Sequence, residues 1–440
     1  MDKTELINFD YKFEHSKVHF IPKTNYENIE FALPPSKSHL IRILGLASIN
    51  NGTTSIKING PIGQDVNSMI NCLITLGVAI KREFLDKEVI LKVNGLGNKG
   101  FLSGKTINCG NSGTALRILM TLVSSIPGKT VIKGDKSLSM RENDSLKKSL
   151  KDSGVTVVET SDKALPIEIT GPWFGNKFDI SPIKLDLSKS SQPLTAWLIS
   201  SSLLSNELSL LLSDKKVSKK HYELSKSLCE KFGANLNFSN EKLELKPYDL
   251  SMPSKLTIPG DASMISFAIL ISKLHNCKVK LFNCPNSEDF LGCEILERNA
   301  RFIGVNWVGD VISPISQGNF CSYDLTDCND LITPLAITLA ISSGGILTGI
   351  SHTRYKESDR LQKTIDLMND FGMKTSFDDG NMVIEGKQVP KKPKSVIKTY
   401  GDHRIYMSAV LLLSLFGGEL DGLDLHEIAD PKFLNRLGLS

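Results

Sequence analysis

Apolar residues recur at helical spacing in segment after segment of this chain, and each such segment ends in a glycine followed by a strand-like run. Val66, Met69, Ile70, Leu73 and Leu76 form one stripe, the pattern of a helix with one face in a core. The same ending returns as L-I-T-L-G-V, L-K-D-S-G-V, C-E-K-F-G-A, A-R-F-I-G-V and M-N-D-F-G-M, with Gly77, Gly154, Gly233, Gly304 and Gly372 roughly 70 residues apart. A second signature, a small-residue and aliphatic helix running through a turn into a strand, occurs six times, from L-A-S-I-N-N-G-T-T-S-I-K-I to L-S-L-F-G-G-E-L-D-G-L. Each unit is therefore predicted to hold two helices with strands around them, glycine or asparagine supplying the left-handed turn at helix ends.

Six such units in 440 residues exceed what one core holds, and their uneven lengths argue against a solenoid. Two globular lobes of three units each are expected. The third and fourth units are separated by K-P-Y-D-L-S-M-P-S-K-L-T-I-P-G, residues 246–260, with the proline and serine content of a linker. A second crossing is expected at Leu33-Pro34-Pro35, where prolines interrupt the strand-like Ile29 to Leu33. Lobe 1 would then comprise residues 1–35 and 260–440, and lobe 2 residues 36–259.

Composition changes this picture little. Hydrophobic residues make up 40% of the chain and charged residues 23%, as in ordinary globular proteins. No apolar run approaches the ~18 residues of a membrane span. The start, M-D-K-T-E-L-I-N-F-D-Y-K, has neither the apolar segment of a secretory signal nor the acid-poor composition of a transit peptide, and a cytoplasmic location is expected. The eight cysteines lie scattered without a C-x-x-C pair, as reduced and mostly buried side chains do. A net charge of +4 is too mild to imply nucleic-acid binding, so any anion chemistry has to be local.

The polar stretches between units carry it. P-P-S-K-S-H-L-I-R puts Ser36, Lys37, Ser38 and Arg42 at a helix start, either an anion site or a plain serine cap. C-G-N-S-G-T-A-L-R places Gly110, Gly113 and Arg117 at another. G-D-K-S-L-S-M-R delivers Arg141, and K-S-S-Q-P-L-T supplies Ser190, Ser191 and Gln192. Asp261, Asp324, Asp327 and Asp330 precede apolar helices, as capping acids or, less readily, as metal ligands. S-H-T-R-Y-K-E-S-D-R packs Arg354, Lys356 and Arg360 around Glu357 and Asp359, as an anion clamp with an acid inside or as a solvated helix start. T-Y-G-D-H-R supplies His403 and Arg404, and D-P-K-F supplies Lys432.

In order, S-K-S-x-x-x-R, N-S-G-T-A-x-R, G-D-x-S-L-x-x-R, S-S-Q-x-L-T-A, G-D-A-S, R-x-K-E-S-D-R and D-H-R span nearly the whole chain. As a set they closely resemble the EPSP synthase family, the 3-phosphoshikimate 1-carboxyvinyltransferases. The resemblance implies a two-lobed inside-out α/β barrel, each lobe built of three βαβαββ units. It implies transfer of the enolpyruvyl group of phosphoenolpyruvate to the 5-hydroxyl of shikimate 3-phosphate without metal or organic cofactor, by a cytoplasmic monomer in the route to aromatic amino acids. By the same resemblance Lys37, Ser38, Arg42, Ser190, Ser191, Gln192, Asp330 and Lys356 would hold shikimate 3-phosphate. Lys37, Gly113, Arg141, Gln192, Arg360, Arg404 and Lys432 would hold phosphoenolpyruvate. Lys37, Asp330, Glu357 and Lys432 would be catalytic, with Asp330 facing the 5-hydroxyl proton and Glu357 the methylene carbon. A glycine at 113 implies a pocket that also admits glyphosate.

The chain departs from the family pattern in three places. S-K-K-H stands where S-K-P-Y is usual, leaving His221 or Tyr222 to meet the acceptor. Ile118 stands where proline is common, and the usual Ser/Thr-Phe-Pro is missing after Lys432. The UDP-N-acetylglucosamine enolpyruvyl transferases share the fold, but they carry K-N at the first motif and a loop cysteine. This chain has Lys37-Ser38 and no cysteine between Cys109 and Arg141. An RNA-terminus-binding relative would need aromatics interleaved along a basic face, whereas the cations here sit singly among serine and glycine.

Overall fold

A computed structural model of the chain describes residues 17–85, 88–160, 162–175, 181–239, 241–316 and 318–439. The amino-terminal stretch that argued against a signal segment lies outside them. Five four-stranded sheets share one spatial order; in four of them the first two strands along the chain are parallel neighbours and the fourth lies between the second and third. In the fifth, Lys255–Thr257, last along the chain, takes the first place in parallel beside Thr53–Asn59. In the unit following Asn108, Thr106–Asn108 runs parallel to Gly128–Lys133, while Ile167–Gly171 pairs antiparallel with both Gly128–Lys133 and Thr156–Glu159. Helices Gly113–Val123 and Asp144–Asp152 connect these strands, which gives the βαβαββ order. The sixth unit is reduced to Gly418–Asp421 paired antiparallel with Val18–Ile21, plus a single parallel bridge from Ile397 to Leu420.

The repeat glycines do what their spacing predicted. Gly77, Gly154, Gly233, Gly304 and Gly372 all have positive φ, between 71° and 116°, a conformation that other residues adopt only with strain. The stripe from Val66 to Leu76 is buried throughout.

Buried apolar side chains fall into two clusters. One is drawn from residues between Leu40 and Ile258, the other from Ile21 to Leu33 together with Ala262 to Leu439. The chain passes between them twice, and each time it leaves a strand behind. Asn28–Ala32 pairs in parallel with Lys278–Phe282 of the second cluster, and the chain then enters helix Lys37–Ile49 of the first. Residues 246–260 are more than the linker their composition suggested. Tyr248, Leu250, Met252 and Leu256 pack on the first core, and Lys255–Thr257 adds a parallel strand beside Thr53–Asn59.

The two crossings are fastened to each other. Ser36 N donates to Pro259 O at 2.8 Å, and Asp261 N donates to Pro34 O at 2.8 Å. Gly260 is required there, since a Cβ would stand 1.9 Å from the Asn283 carbonyl oxygen. All eight cysteines are free thiols, six of them buried. Among the described residues no helix is long and apolar enough to cross a membrane.

Candidate active site

The polar stretches converge where the two clusters face each other. One cavity is lined by Lys37, Ser38, Arg42, Gly113, Arg141, Ser190, Ser191, Gln192, Asp330, Lys356 and Glu357, and further by Asp65, Thr114, Arg117, Glu142, Lys189 and His221. Helix starts account for the convergence. Ser36 caps Lys37–Ile49, Ser112 caps Gly113–Val123, and Gln192 opens Gln192–Ser200. Free backbone amides therefore point into a space that also gathers cations. The serine-cap reading of Ser36 holds, and the neighbouring Lys37 and Ser38 line the cavity all the same. An open cleft of about 940 Å³, lined by Lys136, Met140, Tyr355, Lys398 and Tyr400 among others, reaches the same Arg141, Lys356 and Glu357.

Two arginines in the cavity have no carboxylate partner among the described residues. Arg42 is buried and donates from Nε to Ser225 Oγ at 2.8 Å, from Nη1 to Ser38 O at 2.7 Å and from Nη2 to His221 O at 3.1 Å. Burial pushes it down to about 10. Arg117 donates to the carbonyls of Gly113 and Glu142 at 3.0 and 2.8 Å, and burial, with Arg141 adding repulsion, pushes it down to about 9. A buried cation held only by neutral acceptors is a site prepared for an anion.

The acids lie opposite. Asp330 Oδ1 accepts from Arg360 Nη1 at 2.8 Å and Oδ2 from Arg404 Nη2 at 3.2 Å. Burial opposes its charge, but Arg404, Arg360, Lys356 and Lys37 outweigh burial and hold it well below the usual carboxylate range. Glu357 is likewise held low against burial, by Arg360, Arg141 and His403. It pairs with Arg360 Nη2 and lies 3.7 Å from Arg141 Nη2, while its carbonyl accepts from Ser137 Oγ at 3.0 Å, so groups of both clusters meet at this residue. Lys356 is pushed down to about 8, first by burial and then by Arg360 and Arg117. The anion-clamp reading and the solvated-helix-start reading of this stretch therefore divide it. Arg354 pairs with Asp359 at 2.6 Å on the surface, where Asp359 also caps helix Arg360–Asp370, whereas Lys356, Glu357 and Arg360 face inward.

Some expected residues stand elsewhere. Arg360 lies behind the cavity, its guanidinium taken up by Asp402, Asp330 and Glu357. Arg404 lines an adjoining pocket with Lys37, Ser38 and Asp330. Lys432 lines neither space. It is exposed at the start of helix Phe433–Arg436, where its N–H donates to Asp430 Oδ1 at 3.2 Å, and Arg436 occupies the same carboxylate at 2.6 Å. Asp324 and Asp327 do not cap their own helix. Asp324 accepts from Thr326 N at 2.8 Å and Asp327 from Lys219 N at 2.6 Å, while Asp261 caps as expected through Ser263 N.

Of His221 and Tyr222, the turn of helix Lys219–Lys231 brings His221 to the cavity. His221 lines the cavity with a buried Nδ1 that has no partner among the described residues, and burial pushes its ring down to about 3, leaving it neutral. Tyr222 stacks on Phe238, ring centroids 5.8 Å apart, beside a separate surface pocket. Sequence reasoning missed Asp65 and Asp402. Asp65 Oδ2 lies 3.0 Å from Lys37 Nζ, and Asp402 Oδ2 accepts from Arg360 Nε at 2.9 Å. Asp65 looked like any acid in a first helical turn, and Asp402 was hidden by its neighbours in D-H-R.

Residues 24–435 match the family model for EPSP synthase (3-phosphoshikimate 1-carboxyvinyltransferase). The chain belongs to the EPSP synthase family. It is 29% identical over 425 residues to the 3-phosphoshikimate 1-carboxyvinyltransferase of Methanococcoides burtonii, covering 93% of this chain and 94% of that protein. The relative of the same name from Caldicellulosiruptor saccharolyticus is 29% identical over 408 residues, covering 88% of this chain and 90% of the other. The fold is that of the EPSP synthase of Acinetobacter baumannii, with a TM-score of 0.72 at 23% identity over 96% of this chain and 98% of that one. The two-lobed α/β architecture of the family is thus the architecture of this chain.

Proposed function

We propose that this family member transfers the enolpyruvyl group of phosphoenolpyruvate to the 5-hydroxyl of shikimate 3-phosphate. Phosphate is released by addition and then elimination. The observation that carries the reading is the pair of buried arginines, Arg42 and Arg117, that have no carboxylate partner among the described residues, inside a cavity that also holds Asp330 and Glu357. Two substrates bearing two phosphates and two carboxylates repel each other, and cations spread over both lobes offset that repulsion. In this proposal the lobes are residues 1–35 with 260–440, and 36–259, a division supported by the two cores. The enzyme is taken as a cytoplasmic monomer.

Asp330, ionised in the free site, takes the 5-hydroxyl proton as that oxygen attacks C2 of phosphoenolpyruvate. Glu357 gives a proton to C3, forming a tetrahedral adduct, and removes one again as the C2–O bond to phosphate breaks. A glutamate held ionised by Arg360 and Arg141 has to gain a proton first. The substrates supply the means, since their negative charges neutralise the same cations and so raise the carboxyl. Lys37 offsets charge on the phosphoenolpyruvate oxygens, Arg141 and Gly113 seat that substrate, and Ser38, Arg42, Ser190, Ser191, Gln192 and Lys356 seat the acceptor.

Phosphate release from phosphoenolpyruvate should depend on shikimate 3-phosphate and fall by at least ~10²-fold in Asp330→Asn and in Glu357→Gln, the scale of a lost general acid or base. Turnover with UDP-N-acetylglucosamine in its place, or wild-type rates in both variants, would overturn the assignment.

A further inference from the structure

The turn after strand Gly418–Asp421 carries a cluster of ligand groups that the reaction does not use. One ligand atom each from Asp424, His426 and Glu427 lies within 4.8 Å of the others. The imidazole is the decisive member. His426 is 4% exposed, and its Nδ1 has no hydrogen-bond partner among the described residues. An unpaired nitrogen on a buried ring that neighbours two carboxylates is costly unless something completes its coordination.

Its surroundings hold the ring in place. Tyr406 fixes the ring by stacking at a centroid distance of 5.8 Å, and the Tyr406 hydroxyl is bonded to His19 Nδ1 at 2.8 Å. His19 is thus a second imidazole at the edge of the cluster. Glu427 Oε2 already accepts from Gln64 Nε2 at 2.9 Å, but a carboxylate has a second oxygen and can serve both.

We propose that Asp424, His426 and Glu427 form a binding site for a borderline divalent transition-metal ion, of which Zn²⁺ is the type. Mixed imidazole and carboxylate donors suit such ions, whereas Mg²⁺ and Ca²⁺ prefer oxygen alone. The site is structural and separate from the reacting atoms, since none of the three residues lines the active-site cavity. An ion there holds the turn, and through Glu427 it holds the contact with Gln64 at the start of helix Gln64–Thr75.

The test titrates the metal-free, full-length protein with Co²⁺ and with Zn²⁺. The expected result is one equivalent of Co²⁺ with the weak visible absorption of nitrogen and oxygen ligands, displaced by Zn²⁺, and a melting temperature that rises with Zn²⁺ concentration. His426→Ala and the exposed-site variant Asp424→Asn should each weaken binding by at least ~10-fold, as loss of a ligand or its orienting partner does. Asp424→Asn leaves the buried ring in place, so its effect is not one of misfolding. Intense thiolate-to-cobalt absorption would place the ion on cysteines and overturn the proposal. So would saturation unchanged in both variants, or no saturable binding at all.

Discussion

Arg360 and Asp402 form an ion pair that is almost wholly removed from solvent, with side-chain exposures of 1% and 0% and a distance of 2.9 Å from Nε to Oδ2. The contact joins the two motifs E-S-D-R and D-H-R and sets the plane of the guanidinium that meets Asp330 and Glu357. Removing one partner of a buried pair typically costs about 3–5 kcal/mol. Because Asp330 and Glu357 remain beside Arg360, Asp402→Asn should fall at the low end, about 3 kcal/mol. A lower urea midpoint at unchanged slope, together with a raised KM for phosphoenolpyruvate, is the expected outcome.

The pair of Lys37 and Asp65 makes a different prediction. Burial opposes charge on Lys37, and Asp65 leads the carboxylates that keep its pKa above the ordinary lysine value. Without that neighbour the ammonium deprotonates at lower pH. Asp65→Asn should therefore move the alkaline limb of the pH–rate profile downward, and kcat/KM should fall by ~10–100-fold, about 1.4–2.7 kcal/mol. An alkaline limb in the wild-type position would show that Asp65 does not hold the charge on Lys37.

The unit count and the helix-start positions were legible because they rest on local rules. The glycines that end each unit need positive φ, and the anion-friendly stretches are helix caps with a short fixed geometry. Partnerships set by tertiary crossing were not legible. Nothing near Asp65 in sequence signals that Lys37 arrives from the preceding helix, and nothing near residue 255 signals that a supposed linker lies beside Thr53–Asn59 as a strand. Lys432 shows the converse. Its motif placed it in the site, yet Asp430 and Arg436 close the local turn so that the lysine stays exposed. His221 and Tyr222 differ only by the rotation of one residue along a helix, which pattern alone does not fix.

Gly113 tests how closely the phosphoenolpyruvate side is packed. A Cβ there would lie 2.9 Å from Arg117 Nη1, 3.0 Å from Arg141 Nη1 and 3.5 Å from Gln192 Oε1. The obstructing atoms are the ends of long side chains, so Gly113→Ala should fold normally while shifting both guanidiniums. A KM for phosphoenolpyruvate raised ~10-fold with little change in kcat is expected, since small misplacements of a clamp are felt strongly. Half-inhibition by glyphosate should move to higher concentration by a larger factor. Steady-state kinetics of phosphate release measure both.

Lys356 ties function to stability with opposite signs. Burial, with Arg360 and Arg117 adding repulsion, pushes it from the ordinary lysine value to about 8. Below that pH the ammonium is charged and attracts the anionic acceptor, and above it the attraction is lost, so KM for shikimate 3-phosphate should rise as pH passes about 8. In Lys356→Arg the charge persists and this break should disappear, even if the absolute KM changes with the altered geometry. For folding the sign reverses. The folded state binds the proton less tightly than the unfolded chain, so charged Lys356 lowers stability at neutral pH, and the penalty is relieved as pH rises through 8 towards the unfolded value. Lys356→Met should accordingly melt at a higher temperature than wild type at pH 7, with the difference shrinking by pH 10. A variant that melts lower at neutral pH would mean that Asp330 and Glu357 hold Lys356 more strongly than burial opposes it.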